Sequence, residues 1–203
     1  LVVFDGALYF AASNGAYGTV EYGSELWKTN GTVGSATLVK DIGSTPDSSY
    51  EGSPEQFTVY NNELYFFADD GKNGFEPWKT DGTDVNTELV ANINSTPSTP
   101  ATPANLTYWT TFSGSLSFTA DDGNGVELWE PDGHSPAVLE DINPGAGSSG
   151  VPYRDDVFRV FAGQLFFFAN DGMNGFEPWV YDGTVTGPKL VKNIDTLGNS
   201  PGD

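Results

Sequence analysis

The sequence predicts an all-β protein of the β-propeller type, an array of four four-stranded antiparallel blades of about 50 residues each. Three observations lead to this fold class. A short phrase recurs four times, most clearly as GKNGFEPWKTDGT at 71–83 and GMNGFEPWVYDGT at 172–184. The tryptophans of the four copies are 51, 51 and 50 residues apart. The runs around them are short, aromatic and β-branched, and Gly, Asn, Asp and Pro separate them.

The second repeat illustrates how each strand is predicted. We expect strands at 57–60, 63–68, 75–80 and 88–93. The first two are joined by Asn61 and Asn62 as a two-residue hairpin, and glycine and asparagine in the later turns supply positive φ angles. The same order in every repeat places the blades at 1–56, 57–105, 106–156 and 157–203, the last with a trailing linker.

The third strand of each repeat carries its tryptophan, which we expect to pack in the core between blades. These residues are Trp27, Trp78, Trp129 and Trp179. Pro77 and Pro178 come near the start of this strand, where a missing N–H is tolerated. The first and third repeats read EL before tryptophan and Asp before a late isoleucine, whereas the second and fourth read EP and Asn. This alternation predicts an A-B-A-B pairing of blades.

The phrase ELWKTNGT, followed by ATLVKDI, resembles the bacterial ELWxxDGT repeat. The resemblance covers all four copies, with departures at the EP copies and at EPDGH in the third. It implies an exported or surface-attached bacterial protein and supplies no catalytic residues. We therefore expect an extracellular or cell-surface location.

The charge excludes some classes of partner. The chain has 28 acidic and 8 basic residues, a net charge of −20, which disfavours nucleic acid and anionic membrane surfaces. No apolar run approaches the roughly 18 residues that span a bilayer, so we expect no membrane insertion. There is no cysteine, which excludes disulfides and thiolate metal sites.

The acidic hairpins before the third strands are the candidate metal sites. They combine oxygen donors, glycine and a later glutamate, as calcium prefers, although their spacing is not that of an EF-hand. The alternative is a hairpin turn in which Asp and Asn bind their own backbone. The candidate ligands are Asp69, Asp70, Asn73, Glu76, Asp121, Asp122, Asn124, Glu127, Asn170, Asp171, Asn174 and Glu177. No other cofactor is expected.

Two features predict glycosylation. The Ser/Thr/Pro tract at 94–105 is typical of exposed, O-glycosylated linkers, and three asparagines head N-x-S/T sequons. The alternative for the tract is an unmodified spacer. The candidate positions are Asn30, Asn94, Asn105, Thr96, Thr99 and Thr102.

Catalytic constellations are sparse in this sequence. His134 is the only histidine, in a turn, and no G-x-S-x-G motif accompanies it. Carboxylate pairs are uninformative in so acidic a chain. We therefore predict a non-catalytic, extracellular structural or adhesive module that self-associates into a surface or filamentous assembly, with copies of itself or neighbouring repeats as its partners. The alternatives are a carbohydrate-binding propeller lectin, with glycans as partners, and, more weakly, a glycosidase-like propeller enzyme.

Overall fold

The computed structural model describes residues 1–13, 23–43, 52–93, 107–122, 126–131, 136–144, 158–184 and 186–194. Within these residues the secondary structure consists of strands, without any helix. The strands form four separate four-stranded antiparallel sheets, each in simple chain order. The predicted all-β class and the four antiparallel sheets are confirmed.

The chain divides into two compact units, residues 1–104 and 105–203, and each unit contains two of the sheets. The first sheet of unit 1 consists of β1 (Val2–Phe4), β2 (Ala7–Ala12), β3 (Glu25–Thr29) and β4 (Thr37–Lys40). The second consists of β5 (Glu55–Tyr60), β6 (Glu63–Asp69), β7 (Phe75–Thr80) and β8 (Glu88–Leu89).

Unit 2 repeats this order. Its first sheet consists of β9 (Thr107–Phe112), β10 (Ser115–Asp121), β11 (Val126–Pro131) and β12 (Pro136–Glu140). Its second consists of β13 (Arg159–Phe161), β14 (Gln164–Asn170), β15 (Phe176–Tyr181) and β16 (Lys189–Leu190).

The fourth strands of the second and fourth sheets are shorter than the sequence predicts. We expected a strand at 88–93, but β8 ends at Leu89, and Val90 N then donates to Pro77 O at 2.8 Å. Because the N and O of a strand residue point the same way in an antiparallel ladder, the missing N–H of Pro77 also faces β8. In the first sheet Leu26 stands at this position and pairs with Lys40, and the fourth strand is longer. The proline therefore limits the length of the fourth strand. The fourth sheet has the same arrangement, in which Val191 N donates to Pro178 O at 2.8 Å.

The two sheets of unit 1 share one apolar core. Residues from the first sheet meet residues from the second, and all are nearly inaccessible to solvent. The core consists of Phe4, Tyr9, Leu26, Val39, Ile42, Leu64, Phe66, Ala68 and Trp78. Alternation along β6 brings Leu64, Phe66 and Ala68 to one face, opposite the cross-strand partner Trp78.

The two sheets of unit 2 are joined in the same way. Their shared core consists of Phe112, Leu128, Ile142, Leu165, Phe167, Ala169 and Tyr181, with Trp179 packed against it.

The four repeat tryptophans lie in different environments. Trp78 and Trp129 are buried, whereas Trp27 and Trp179 are half-buried. The indole N–H of Trp129 donates to Ala120 O at 3.0 Å, and that of Trp179 donates to Ala169 O at 3.1 Å. The same nitrogens of Trp27 and Trp78 are buried and have no hydrogen-bond partner among the described residues.

No helix among the described residues is long and apolar enough to cross a lipid bilayer.

Candidate functional site

The glutamate of the repeated phrase is a buried residue of the sheet in every copy. Glu25, Glu76, Glu127 and Glu177 are each at most 5% exposed. In three copies its carboxylate accepts the backbone N–H of the late isoleucine, from Ile42 at 2.7 Å, Ile93 at 3.1 Å and Ile142 at 3.2 Å. The carboxylate therefore satisfies the backbone where the chain leaves the fourth strand, which explains why the phrase keeps a glutamate two residues before the tryptophan.

The acidic hairpins of the second and fourth sheets are closed by their own side chains. Asp70 Oδ1 accepts Lys72 N and Asn73 N, both at 2.8 Å, while Oδ2 accepts Asn73 Nδ2 at 2.7 Å. Asp69 Oδ1 accepts Gly71 N at 2.7 Å. These are the contacts of an Asx-type turn.

The fourth sheet repeats every one of these contacts. Asp171 accepts Met173 N, Asn174 N and Asn174 Nδ2 at 2.6–2.9 Å, and Asn170 accepts Gly172 N at 2.8 Å. These hydrogen bonds to the ionised form hold the pKa of Asp171 below its usual value, although burial opposes them.

The asparagines of these two hairpins also explain the A-B alternation near the late isoleucine. Asn92 Nδ2 donates to Asn73 Oδ1 at 2.8 Å, and Asn193 Nδ2 donates to Asn174 Oδ1 at 2.6 Å. An aspartate at position 92 or 193 could not donate in this way.

In the third sheet only part of the acidic hairpin lies within the described residues. Asp121 and Asp122 are half-buried, and Asn124 lies outside the described residues. Across the described ranges, no three Asp, Glu or His side chains come together in a metal-ligating group. Calcium binding at these hairpins stays a prediction.

Removal of calcium tests that prediction. A cation that binds only the folded chain stabilises it by mass action, so a chelator should lower the melting temperature and added calcium should restore it. The Asp70→Asn variant should lose the response to calcium if Asp70 is a ligand. A melting temperature that is unchanged by chelation would leave the turn as the whole role of these residues.

Of the predicted glycosylation positions, only Asn30 lies within the described residues, where it is exposed. Asn94, Asn105, Thr96, Thr99 and Thr102 lie outside them. Asn30 Oδ1 accepts Thr32 N at 3.0 Å and Thr32 Oγ1 at 2.7 Å. Asp81 accepts from Thr83 in the same manner, at 2.9 and 2.6 Å. The Asn30 sequon is thus also the turn of the repeat.

A polar cleft of about 350 Å³ lies between the two sheets of unit 1. It is bordered by the β1–β2 turn and by the turns that follow β3 and β7. Its lining consists of Asp5, Ala7, Tyr9, Lys28, Thr29, Asn30, Ser35, Thr37, Asp81, Gly82 and Thr83. The cleft therefore combines two carboxylates, one ammonium group, one phenol and several hydroxyl and amide groups.

Tyr9 forms the floor of the cleft. Its side chain is 2% exposed, and its ring packs against Phe4 with centroids 5.7 Å apart. Among the residues that the structure describes, none is hydrogen-bonded to the Tyr9 hydroxyl. Burial, with Asp5 and Asp81 nearby, raises the pKa of this phenol above its usual value. The hydroxyl is therefore protonated at neutral pH and is available to a ligand as donor and acceptor.

Lys28 and Gly82 hold the wall of the cleft in place. Lys28 Nζ donates to Gly82 O at 2.8 Å, which links β3 to the turn after β7. Gly82 has a φ of +97°, and the Tyr9 hydroxyl lies where a Cβ at this position would be. On the outer side Lys40 Nζ contacts Asp84 Oδ1 at 2.9 Å. Two lysines of the first sheet thus bind the DGTD turn of the second.

The two carboxylates of the cleft differ in their partners. Asp81 accepts hydrogen bonds from Thr83 and, through Oδ2, from Asn86 Nδ2 at 2.7 Å. The side-chain hydrogen bonds from Thr83 and Asn86 lower the pKa of Asp81, which keeps it ionised at neutral pH. Asp5 is exposed on the β1–β2 turn at a φ of +44°. Asp5 is therefore the carboxylate that a ligand can reach most directly.

This cleft is not among the sites predicted from the sequence. Two of its residues, Tyr9 and Lys28, lie at positions where the repeats differ, whereas the predictions rest on what the repeats share. The position of Tyr9 is occupied by Tyr65, Ser117 and Phe166 in the other repeats, and that of Lys28 by Lys79, Glu130 and Val180. The variation at these two positions, on strands whose other core residues recur in every repeat, is the signal in the sequence that could have indicated the cleft.

No family model and no curated protein matches the chain. Among solved structures, it is similar to a novel α-L-arabinofuranosidase, CtGH43, from Clostridium thermocellum, with 17% identity and a TM-score of 0.41 over 93% of this chain and 69% of that one. It is also similar to the catalytic domain of the GH62 α-L-arabinofuranosidase of Coprinopsis cinerea, with 13% identity and a TM-score of 0.39 over 96% and 67% of the two chains.

These comparisons correct two of the predictions made from the sequence. The similar solved structures are enzymes and not structural proteins. The prediction of a non-catalytic, self-associating structural or adhesive module is therefore wrong, and so is the prediction that the chain is not an enzyme. At this level of identity the similarity concerns the fold alone. A function for this chain is therefore inferred from the residues of its own cleft.

Proposed function

We propose that the chain is a carbohydrate-binding protein whose four sheets are propeller-type blades, and that the polar cleft of unit 1 binds the sugar. The observation that carries the proposal is Tyr9, which is 2% exposed and lines the cleft, and whose hydroxyl has no hydrogen-bond partner among the described residues. The proposal includes an extracellular location, where polysaccharides are encountered.

The cleft provides hydrogen-bonding groups in the combination that a sugar requires. Each hydroxyl of a sugar can both donate and accept, so vicinal hydroxyls are satisfied when donors and acceptors alternate around them. Lys28 has three N–H groups and gives one of them to Gly82 O. The remaining N–H groups donate, Asp5 accepts, and the Tyr9 hydroxyl can do either. A volume of about 350 Å³ suits one or two sugar rings.

Charge favours a neutral sugar over an acidic one. Asp5 and Asp81 place two negative charges on the cleft against the single positive charge of Lys28, within a chain of net charge −20. A uronic acid would add a third carboxylate at this site, and like charges in proximity cost several kcal/mol in the least favourable cases. We therefore expect arabino-, xylo- or galacto-oligosaccharides to bind better than galacturonate oligomers.

The Tyr9→Phe variant tests the proposal. It removes only the hydroxyl, and the fourth sheet already carries Phe166 at the equivalent position, so the fold should persist. Because one hydrogen bond contributes about 0.5–1.5 kcal/mol, we expect affinity for the best neutral oligosaccharide to fall roughly threefold to tenfold. Isothermal titration calorimetry on the whole chain measures the change.

Tyr65→Phe is the matched control, because Tyr65 is the equivalent residue of the second sheet and its hydroxyl donates to Glu63 Oε2 at 3.1 Å. We expect this variant to bind as the wild type does. Release of sugar from the same oligosaccharides, and from a p-nitrophenyl α-L-arabinofuranoside, is measured in parallel, and turnover would extend the proposal to catalysis. Absence of binding to every neutral sugar, or equal effects of the two substitutions, would refute the proposed site.

A further inference from the structure

The unit 2 counterpart of the cleft has a different chemical character. The equivalent of Tyr9 is Ser117, and the equivalent of Lys28 is Glu130. Ser117 is fully buried, and its hydroxyl donates to Glu130 Oε1 at 3.3 Å. Unit 2 thus has no counterpart of the two hydrogen-bond donors Tyr9 and Lys28. In their place it has Ser117, whose hydroxyl is already bonded to the Glu130 carboxylate.

Two aromatic rings pack together near the corresponding turn of unit 2. Phe112 and Tyr181 are each 5% exposed, and their ring centroids are 5.8 Å apart. In unit 1 the residue at the position of Tyr181 is the much smaller Thr80. Around Gly183, the equivalent of Gly82, a Cβ would lie 3.1 Å from Ser113 Oγ and 3.4 Å from a Phe112 ring carbon. Unit 2 therefore has a large aromatic ring, Tyr181, where unit 1 has a threonine, and its Gly183 turn lies against Ser113 and Phe112.

The electrostatics of unit 2 agree with this packing. Burial raises the pKa of Glu130 above its usual value, although a hydrogen bond from Ser117 opposes the change. Burial, together with Glu130 and Asp182, also raises the pKa of Tyr181. The Glu130 carboxyl and the Tyr181 phenol are therefore partly shielded from water by the packing of the sheets. Groups in this position are poorly accessible for hydrogen bonds to a ligand.

We infer that the two units have diverged so that only unit 1 binds the sugar, and that Lys28 is the residue that distinguishes the binding unit from its counterpart. This inference rests on the proposed function, since it assumes that the cleft of unit 1 takes a neutral sugar. It adds a stoichiometry and a specificity-determining residue. Each chain then holds one sugar at this kind of site, although both units have the same sheet order.

The test uses the whole chain and the neutral oligosaccharide that binds most tightly. Calorimetry should give one sugar per chain. Lys28→Glu, which places the unit 2 residue in unit 1, should weaken binding at least tenfold, because it removes the donor and adds a third carboxylate beside Asp5 and Asp81. Glu130→Gln in unit 2 should leave affinity and stoichiometry unchanged.

The outcomes separate the inference from the proposed function. Absence of sugar binding by the wild type refutes both. Binding of two sugars per chain, or a loss of affinity in Glu130→Gln with none in Lys28→Glu, overturns the inference alone. Should Lys28→Glu fail to fold, as judged by its thermal transition, Lys28→Gln replaces it. That variant keeps a donor but removes the charge, so it should retain one sugar per chain at reduced affinity, and unchanged affinity would contradict the role of Lys28.

Discussion

Replacement of Gly82 by alanine should destabilise unit 1 by about 2–4 kcal/mol and distort the cleft. Two costs add together in this variant. The φ of +97° is unfavourable for any residue with a Cβ, and the new methyl would overlap the Tyr9 hydroxyl. To relieve the overlap, the turn that Lys28 and Lys40 hold must move away from the first sheet. Urea unfolding measures the loss of stability, and calorimetry measures the loss of sugar binding.

Gly31→Ala is the control that isolates the contact from the backbone strain. Gly31 is the equivalent glycine of the first sheet, its φ is +86°, and nothing lies within 4 Å of the position that its Cβ would take. We expect this variant to lose only about 1–2 kcal/mol, the cost of the positive φ. Equal losses for the two variants would show that the Tyr9 contact with the turn contributes nothing to the packing of the sheets.

The strands could be predicted from the sequence because they depend on local patterns of apolar and turn-forming residues, and these patterns recur in every repeat. The strands predicted at 63–68 and 75–80 are observed as β6 and β7, with a difference of one residue. The fourth strand was predicted too long because its end depends on a residue of the neighbouring strand. Pro77 has no N–H to offer, so the ladder stops where pairing with it would be required.

The cleft was not predictable in the same way, because it depends on the contact between two sheets. Tyr9 and Lys28 are cross-strand partners on one sheet, but the wall opposite them is the Gly82 turn, 54 residues further along the chain than Lys28. Periodicity reveals which face of a strand is apolar, and it does not reveal which turn of the next sheet lies against it. The glutamates illustrate the same limit, because their place after acidic, glycine-containing hairpins suggested metal ligands, whereas Glu76 is a buried acceptor for Ile93 N.

Replacement of Glu25 by leucine should cost about 3–5 kcal/mol of unfolding free energy, although the two side chains are similar in size. Glu25 is fully buried and accepts Ile42 N at 2.7 Å and Gly43 N at 3.3 Å. Leucine would leave these backbone N–H groups buried without partners, at about 1–3 kcal/mol each, and would lose the charge-assisted bonds themselves. Glu88→Leu, at an exposed glutamate of β8, should change stability by no more than about 0.5 kcal/mol. Urea unfolding of both variants measures the difference.

The pH dependence of stability provides a second measurement of the same carboxylate. Burial raises the pKa of Glu25 above the ordinary value of 4.5, and Asp41 adds to the rise, while the N–H groups of Ile42, Gly43 and Gly52 oppose it. An acid whose pKa is higher in the folded state binds more protons there than in the unfolded chain, so its contribution to stability is complete below pH 4.5 and is lost as the pH rises through the folded pKa. The difference in unfolding free energy between wild type and Glu25→Gln should therefore be largest in acid and decrease as the pH rises. A difference that increases with pH over this range would mean that the hydrogen bonds outweigh burial and that the pKa of Glu25 is lowered by folding.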